Sequence, residues 1–309
     1  MRLLRLTEHV YACEQPRADT GWSNAGMVDA GDGLLVDTLY DVKLTKEMAA
    51  LYAQVRPAAP QTVVNTHHNG DHCWGNQVFA GAEIIAHRGC AERFSAFTPQ
   101  AAEAIRTMAD PPEHLADLVH EFAPFDFSEV VLTPPTRVID GDTTLDIGGV
   151  RVDLLHVGPA HTEGDLVVHL PDESVVLMGD VLFSRCTPIG WEGSTDRWIQ
   201  ALQRVENLEP EHVVPGHGPV GGVDDVRSAR VYLQDVQAHA AACWAAGTSV
   251  LDCCVGLDLG PYAGWGEPWR LAATVHRVYR ECAGAEWDAA FDTAAVMHDV
   301  RALRRRWED

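Results

Sequence analysis

The chain has 309 residues, of which 46% are hydrophobic and 22% charged, as in ordinary soluble globular proteins. A chain of this length buries a sizeable core, either as one large domain or as one domain with a helical appendage. The formal net charge of −22 argues against a surface that binds nucleic acid or an anionic membrane, because both partners are polyanions.

The N-terminal residues and the cysteines indicate the cellular compartment in which the protein is expected. Residues 1–15 contain no apolar run of signal-peptide length, and no stretch of 18 apolar residues occurs in the chain. We therefore expect a cytoplasmic protein without a membrane span. The eight cysteines form no CxxC pair, so we expect free thiols that mostly pack as small hydrophobic side chains.

The first part of the chain alternates short strands with helices. Glycine- and aspartate-rich punctuation separates predicted strands at 10–13, 25–30, 33–37, 62–65 and 83–87. Apolar residues at helical spacing, from Leu44 to Val55, predict a helix over about 41–56. Residues of about 88–122 are typical of helix, with a break at Pro111 and Pro112.

The second part repeats this pattern and then changes. Strands are predicted at 144–147, 150–155, 166–170, 175–178 and 212–214, with a helix between the last two that Ser194 or Thr195 caps. After about residue 221 the sequence predicts helices, with an irregular stretch at 255–269. Two runs of strands, each followed by helix, indicate two packed sheets with helices outside, an α/β layered domain.

Histidine and aspartate cluster after four of the predicted strands. The first cluster is the run from His67 to His72, and the others hold His161, Asp180 and His217. Each lies beside glycine or proline, where the backbone bends and directs side chains into a shared site. Imidazole and carboxylate together bind zinc, iron or manganese. The four clusters therefore predict a metal site.

Four sequence motifs, in a particular order along the chain, resemble those of a known family. The motifs are Thr66-His67-x-Asn69-x-Asp71-His72, Gly158-x-x-His161-Thr162, Gly179-Asp180 and Pro215-Gly216-His217-Gly218. Over about residues 9–220 the chain resembles the metallo-β-lactamase-fold superfamily of hydrolases. The resemblance implies a four-layer αββα sandwich, with metals in a cleft at one edge of the sheets. It implies a catalytic domain over 1–220, with 221–309 as a helical C-terminal extension packed on it.

The resemblance also implies ligands and a mechanism. By position the ligands are His67, Asn69 and His161 for one metal, Asp71, His72 and His217 for a second, and Asp180 between them. We expect one or two divalent ions, zinc first and iron or manganese otherwise. A water shared by two ions about 3.5–4 Å apart becomes hydroxide near neutral pH and attacks a carbonyl or phosphoryl centre. Asp71, the predicted catalytic residue, would orient that nucleophile.

Residue 69 departs from the family pattern. The usual cluster has a second histidine at this place, whereas this chain has Asn69, preceded by His68. An amide oxygen is a weaker, neutral donor that favours harder metals. Asn69 is then a weak or water-bridged ligand, or His68 turns in to replace it, or only the second site fills. We expect uneven metal occupancy, which two tightly held ions per chain would contradict.

Other side chains near the motifs have weaker claims. Cys73 and Cys186 are possible thiolate ligands, although ordinary packing is the better interpretation. Glu163 and Asp165 follow His161 closely and are candidates to fix an imidazole tautomer. The tryptophans at 74, 191, 265 and 269 are candidates to line a substrate pocket, although core packing is the better interpretation for any one of them. Trp191 is the exception, because it lies in a predicted loop between Asp180 and the capped helix.

These features together predict a metal-dependent hydrolase that acts on an ester, thioester, lactone or amide bond of a small molecule. Two alternatives stay open: the same fold with the metal as Lewis acid in a lyase, cyclase or aldol-type reaction, and a non-catalytic binding protein. The C-terminal helices suggest a lid or a homodimer contact. Neither a nucleic acid nor a membrane is an expected partner.

Overall fold

The computed structural model describes residues 1–308 and contains two β-sheets. The first has seven strands that follow one another in chain order: β1 (Arg2–Arg5), β2 (Val10–Glu14), β3 (Ala25–Val28), β4 (Leu34–Val36), β5 (Thr62–Val64), β6 (Glu83–His87) and β7 (Arg137–Ile139). The second comprises β8 (Thr143–Ile147), β9 (Val150–His156), β10 (Leu166–Leu170), β11 (Val175–Leu177) and β12 (His212–Val214).

Ten α-helices accompany the sheets in the described residues. They are α1 (Val42–Tyr52), α2 (Gly70–Cys73), α3 (Arg88–Arg93), α4 (Pro99–Arg106), α5 (Ala116–Phe122), α6 (Thr195–Glu206), α7 (Val223–Ala245), α8 (Val250–Gly256), α9 (Leu271–Cys282) and α10 (Thr293–Glu308). Side-chain caps begin several of them, as Asp41 accepts from the amide of Leu44 and Ser194 from that of Arg197. No helix in residues 1–308 is long and apolar enough to cross a membrane.

Strand direction determines where functional side chains meet. Strands β4, β5, β6 and β7 run parallel, as do β11 and β12 in the second sheet. Parallel strands end at the same edge of a sheet, so the loops after β4, β5, β11 and β12 gather on one side of the molecule. The remaining pairs, β1 to β4 and β8 to β11, are antiparallel.

The core is arranged in layers. Apolar side chains from both sheets, including Val64 and Leu177, fill the space between them. Helix α1 packs on the outer face of the first sheet through Met48 and Tyr52. Helices α6 to α10 cover the outer face of the second sheet in one hydrophobic cluster. The predicted α/β four-layer αββα sandwich with a helical C-terminal segment is confirmed; the domain division at residue 220 stays a prediction.

Some local predictions were incomplete. The edge strand β1 was missed, because its four residues show no clear alternation and its register depends on pairing with β2. Strand β7 was also missed, because it has only three residues and pairs with β6, which lies far away in the sequence. The predicted helical stretch of 88–122 divides into α3, α4 and α5, with Thr98 capping α4 and Pro99 in its first turn.

Candidate metal centre

The predicted ligands lie together at the strand-end edge. His67 follows β5, while Asp71 and His72 lie on α2. His161 lies in the loop after β9, Asp180 in the turn after β11 and His217 just after β12. Glycines 179 and 216 allow this crowding, because a Cβ at either position would collide with Thr66 or with Asp180, respectively.

The ligand atoms form two groups that share an edge. One imidazole nitrogen or carboxylate oxygen from each of His67, His161 and Asp180 lies within 4.8 Å of the other two, and the same is true of Asp71, His72 and His217. Asp180 reaches both groups. Its Oδ1 is 3.0 Å from Nε2 of His72 and its Oδ2 is 3.4 Å from Nε2 of His161. This carboxylate therefore stands between the two groups, as the resemblance implied.

Unpaired buried atoms test whether this arrangement fits a metal. Nε2 of His67, Nε2 of His72 and Oδ1 of Asp180 are buried without a hydrogen-bond partner in the described structure. The last two lie close together but without hydrogen-bond geometry. Buried polar atoms are rarely left unpaired, because each loses its hydration without compensation. Imidazole nitrogens and carboxylate oxygens facing one small space fit one or two divalent cations.

A hydrogen-bond chain orients two of the imidazoles. Nδ1 of His72 donates to Oδ2 of Asp37 at 2.8 Å. The same carboxylate accepts from the Thr66 hydroxyl at 2.8 Å, and that hydroxyl oxygen lies 3.1 Å from Nδ1 of His67. Asp37 therefore holds His72 directly and His67 through Thr66, leaving Nε2 of both rings facing the metal centre. His161 is held differently, by its Nδ1 donating to the backbone oxygen of Ile189 at 2.9 Å.

Sequence reasoning missed Asp37. It is 2% exposed and follows the apolar strand β4 with a left-handed φ of 64°. The available signal was a carboxylate at the end of an apolar strand, the pattern that singled out Asp180. Sequence reasoning instead offered Asp165, which accepts from the backbone amides of His161 and Thr162 at 2.7 and 2.9 Å and so fixes the loop rather than an imidazole.

The two groups differ in electrostatics. Burial lowers the pKa of His161 to about 4, so this imidazole is neutral at pH 7. Burial also opposes protonation of His217, but the carboxylates of Asp180 and Asp71 outweigh it and raise its pKa to about 9. The second group thus has an excess of negative charge, and a bound cation would replace the proton that its histidines hold.

Asn69 lies against the first group. Its Oδ1 is 2.8 Å from Nε2 of His161, whose other nitrogen already donates to Ile189. Two arrangements satisfy this contact. Either the amide turns its NH₂ group toward the imidazole lone pair, or the amide oxygen and the imidazole nitrogen share a cation. The ligand role of Asn69 stays a prediction.

The other candidates lie outside both ligand groups. His68 faces away from them, with its Nε2 3.7 Å from Oε1 of Glu192, because successive side chains point in different directions. The Cys73 thiol donates to the backbone oxygen of Asn69 at 3.2 Å, and the Cys186 sulfur lies 3.6 Å from a guanidinium nitrogen of Arg270. Glu163 pairs with Arg93 at 3.0 Å.

A pocket of about 270 Å³ opens above the metal centre. Its floor includes Asn69, Asp71, Asp180 and His217. Its wall is mainly apolar and comes from three parts of the chain: Phe97, Leu118 and Phe122; Phe183, Ile189 and Trp191; Trp269, Met297 and Val300. Trp191 and Trp269, two of the tryptophans considered for a substrate pocket, belong to this lining, whereas the contribution of α10 was not predicted from the sequence.

Comparisons with known proteins agree with this fold. The sequence profile described as "Metallo-beta-lactamase superfamily" matches residues 19–217. A metallo-beta-lactamase type 2 from Bacillus cereus is 26% identical over 64% of this chain and 68% of its own length. A hydroxyacylglutathione hydrolase from Erythrobacter litoralis is 24% identical over 59% of this chain, which spans only 56% of that relative.

A solved structure extends the likeness into the C-terminal helices. The stereoselective inverting sec-alkylsulfatase Pisa1 from Pseudomonas sp. has a TM-score of 0.65 at 16% identity, covering 93% of this chain and 51% of that one. At this identity the likeness shows the fold alone. The fold is that of the metallo-hydrolases with which the chain is compared. The chain belongs to the metallo-beta-lactamase superfamily, and its relatives support a metal-dependent hydrolase.

Proposed function

We propose that this protein hydrolyses an ester, thioester, lactone or amide bond in a neutral small molecule with an apolar or aromatic group. One observation carries the proposal. Unpaired imidazole and carboxylate atoms converge at the metal centre, which borders, through Asp180, a pocket whose wall is mainly apolar. Binding sites of this composition use apolar contacts for affinity and a few polar groups for orientation.

The ligand roles follow from the two groups. His67, His161 and Asp180 would hold one ion, with Asn69 as a weaker additional donor. Asp71, His72 and His217 would hold the second, with Asp180 shared between the ions. Zinc is the metal we expect, since nitrogen and carboxylate ligands suit it. When bound, the metal supplies a water acidic enough to deprotonate near neutral pH and a positive charge that polarises a carbonyl.

Asp71 is positioned to direct the nucleophile. Its Oδ2 is 3.2 Å from Nε2 of His217, and its side chain is 14% exposed and reaches the pocket floor. One carboxylate oxygen therefore faces the ligand group while the carboxylate as a whole borders the substrate space. In this position Asp71 accepts a hydrogen bond from the attacking water and holds it toward the scissile carbonyl.

Charges on the wall favour a neutral substrate. Arg270 is the guanidinium that borders the pocket, and it is 4% exposed. It pairs with Glu267 and donates to the Thr20 hydroxyl at 2.9 Å. Glu121 also lines the pocket. Because the positive charge is already matched by carboxylates, an anionic substituent there would gain little and would face repulsion.

The test compares substrates and metal states. Zinc-reconstituted and chelator-stripped protein are assayed with neutral aryl esters of increasing acyl length, with matched anionic esters, and with thioester, lactone and amide analogues. We expect zinc-dependent turnover that is faster for neutral, longer acyl groups. Fully metallated protein that turns over none of these bonds would favour the Lewis-acid alternative. Protein that binds no metal would favour a binding protein.

A further inference from the structure

A second group of metal-binding side chains lies in the C-terminal helices, away from the pocket. His239 and Cys243 are four residues apart on α7, so they share one face of that helix, and Cys253 lies on α8. One ligand atom from each lies within 4.8 Å of the other two. We propose that these three residues bind a zinc ion through Nε2 and two sulfurs.

The distance between the two ligand atoms on α7 is compatible with that ion. Around tetrahedral zinc, bonds of about 2.3 Å to sulfur and about 2.0–2.1 Å to nitrogen place those two ligand atoms roughly 3.6 Å apart. Nε2 of His239 and Sγ of Cys243 are 3.5 Å apart. The spacing is thus that of two ligands on one ion. The soft sulfur donors select zinc over magnesium or calcium, which prefer oxygen.

The surroundings provide both access and support. His239 and Cys243 are half-buried, so solvent reaches the group from their side and supplies water for the fourth position, whereas Cys253 is fully buried. The Tyr279 hydroxyl of α9 lies in hydrogen-bonding reach of the Cys253 sulfur and donates its proton to the Thr248 backbone oxygen at 3.0 Å. Turning that proton from the backbone oxygen to the sulfur would stabilise a thiolate ligand.

Binding exchanges protons in a defined way. Nε2 of His239 donates to the Cys253 backbone oxygen at 2.9 Å. Zinc takes that nitrogen lone pair, so the imidazole proton moves to Nδ1 and this hydrogen bond is lost. Both thiols release their protons to solvent and bind as thiolates, which balance the charge of the ion. The ion links α7 to α8 within the helical segment that also forms part of the pocket wall.

Cobalt distinguishes this site from the metal centre. The proposed ligands of the metal centre are nitrogen and oxygen atoms, so a sulfur-to-cobalt charge-transfer band reports the C-terminal group alone. Reduced, metal-stripped protein is titrated with Co²⁺ without oxygen, and zinc content is measured after reconstitution. We expect a sulfur band that saturates at one ion per chain. A titration without that band overturns the proposal.

Matched variants locate the band. Cys243→Ser and His239→Ala alter half-buried positions, so circular dichroism is expected to show an intact fold, and each should lower zinc content by one ion per chain. Cys243→Ser should also abolish the band or reduce it severalfold. Cys282→Ser, at an exposed cysteine outside the group, and Cys73→Ser, beside the metal centre, should leave it unchanged. A band that keeps its full intensity in Cys243→Ser, or that Cys73→Ser removes, contradicts the assignment.

Discussion

The floor and the wall of the pocket are built in different ways. The floor consists of buried charged and imidazole groups near strand ends, such as Asp180 and His161, and His161 is held there by its hydrogen bond to the backbone oxygen of Ile189. The wall consists of apolar side chains on helices and loops, among them Trp191 and Met297. Directional bonds fix the floor, whereas non-directional packing forms the wall.

This difference separates chemistry from selectivity. A change in the floor should alter metal content and rate together, because the same atoms would bind metal and orient the nucleophile. A change in the wall should alter substrate preference at constant metal content. Within the floor, the second ligand group carries more negative charge than the first, so the two groups should also differ in metal affinity.

The largest effect is expected at the shared carboxylate. Asp180→Asn removes the charge that both ligand groups use, so metal content should fall at both. Replacing even an outer partner of a metal ligand costs about 10–100-fold, so kcat/KM should drop by more than about 10²-fold. Metal analysis and steady-state kinetics measure this. Asp172→Asn, at an exposed carboxylate, is the control, and full metal content in Asp180→Asn would refute the shared role.

Asp37→Asn tests the hydrogen-bond chain behind the floor. It leaves the ligands in place but weakens the hold on His72 and, through Thr66, on His67. Metal affinity and kcat should each fall by about 10–100-fold. Thr66→Val breaks only the His67 branch and should have the smaller effect, confined to the first ligand group. Equal losses in both variants would contradict this order, as chelator-competition titrations would reveal.

Asn69→His should reduce the difference in metal affinity between the two ligand groups. An imidazole is a stronger donor than an amide, so affinity at the weaker site should rise by about tenfold or more, equivalent to about 1.4 kcal/mol. Calorimetric zinc titration should then change from one tight and one weak event toward two tight events. Two tight events in the unaltered protein would disprove the expected uneven occupancy.

Met297→Ala probes the wall. It removes apolar contact from α10 inside the pocket, which should lower kcat/KM for long-acyl substrates by about tenfold, as expected for lost apolar contacts. Short-acyl substrates should be much less affected, and metal content should not change. The measurement is the ratio of kcat/KM for long-acyl substrates to that for short-acyl substrates. A loss of metal in this variant would contradict the view that the wall and the floor act independently.

Glu121 gives the smallest effect, on stability. Burial, together with repulsion from Glu267, raises its pKa from 4.5 to about 7. Between these values the folded protein keeps a proton that the unfolded chain has released, so the free energy of unfolding falls as pH rises through this window. Glu121→Gln should weaken that dependence and raise Tm at pH 8 by a few degrees. The measurement is Tm by thermal melts over a range of pH, and Glu92→Gln, at an exposed glutamate, is the control. If Tm varies with pH in the same way in Glu121→Gln and in the unaltered protein, Glu121 does not cause the pH dependence.

The sequence by itself determined the layered fold and the identity of the strand-end residues. Apolar runs with glycine between them specify strands locally, and an unusual concentration of histidine and aspartate after those runs, as in His67 to His72, needs no distant contact to be noticed. The same local reasoning could not tell how Asn69 and His68 point, since that depends on Ile189, His161 and Glu192 from elsewhere in the chain.

Only the tertiary structure decided the partners of those residues. Asp37 meets His72 across 35 positions of sequence, and Met297 meets the pocket only because α10 packs beside α9 and reaches that wall. The approach of Cys253 to His239 likewise depends on how α8 packs against α7. The local sequence pattern indicates which side chains a segment carries, whereas the packing of distant segments decides which residues those side chains contact.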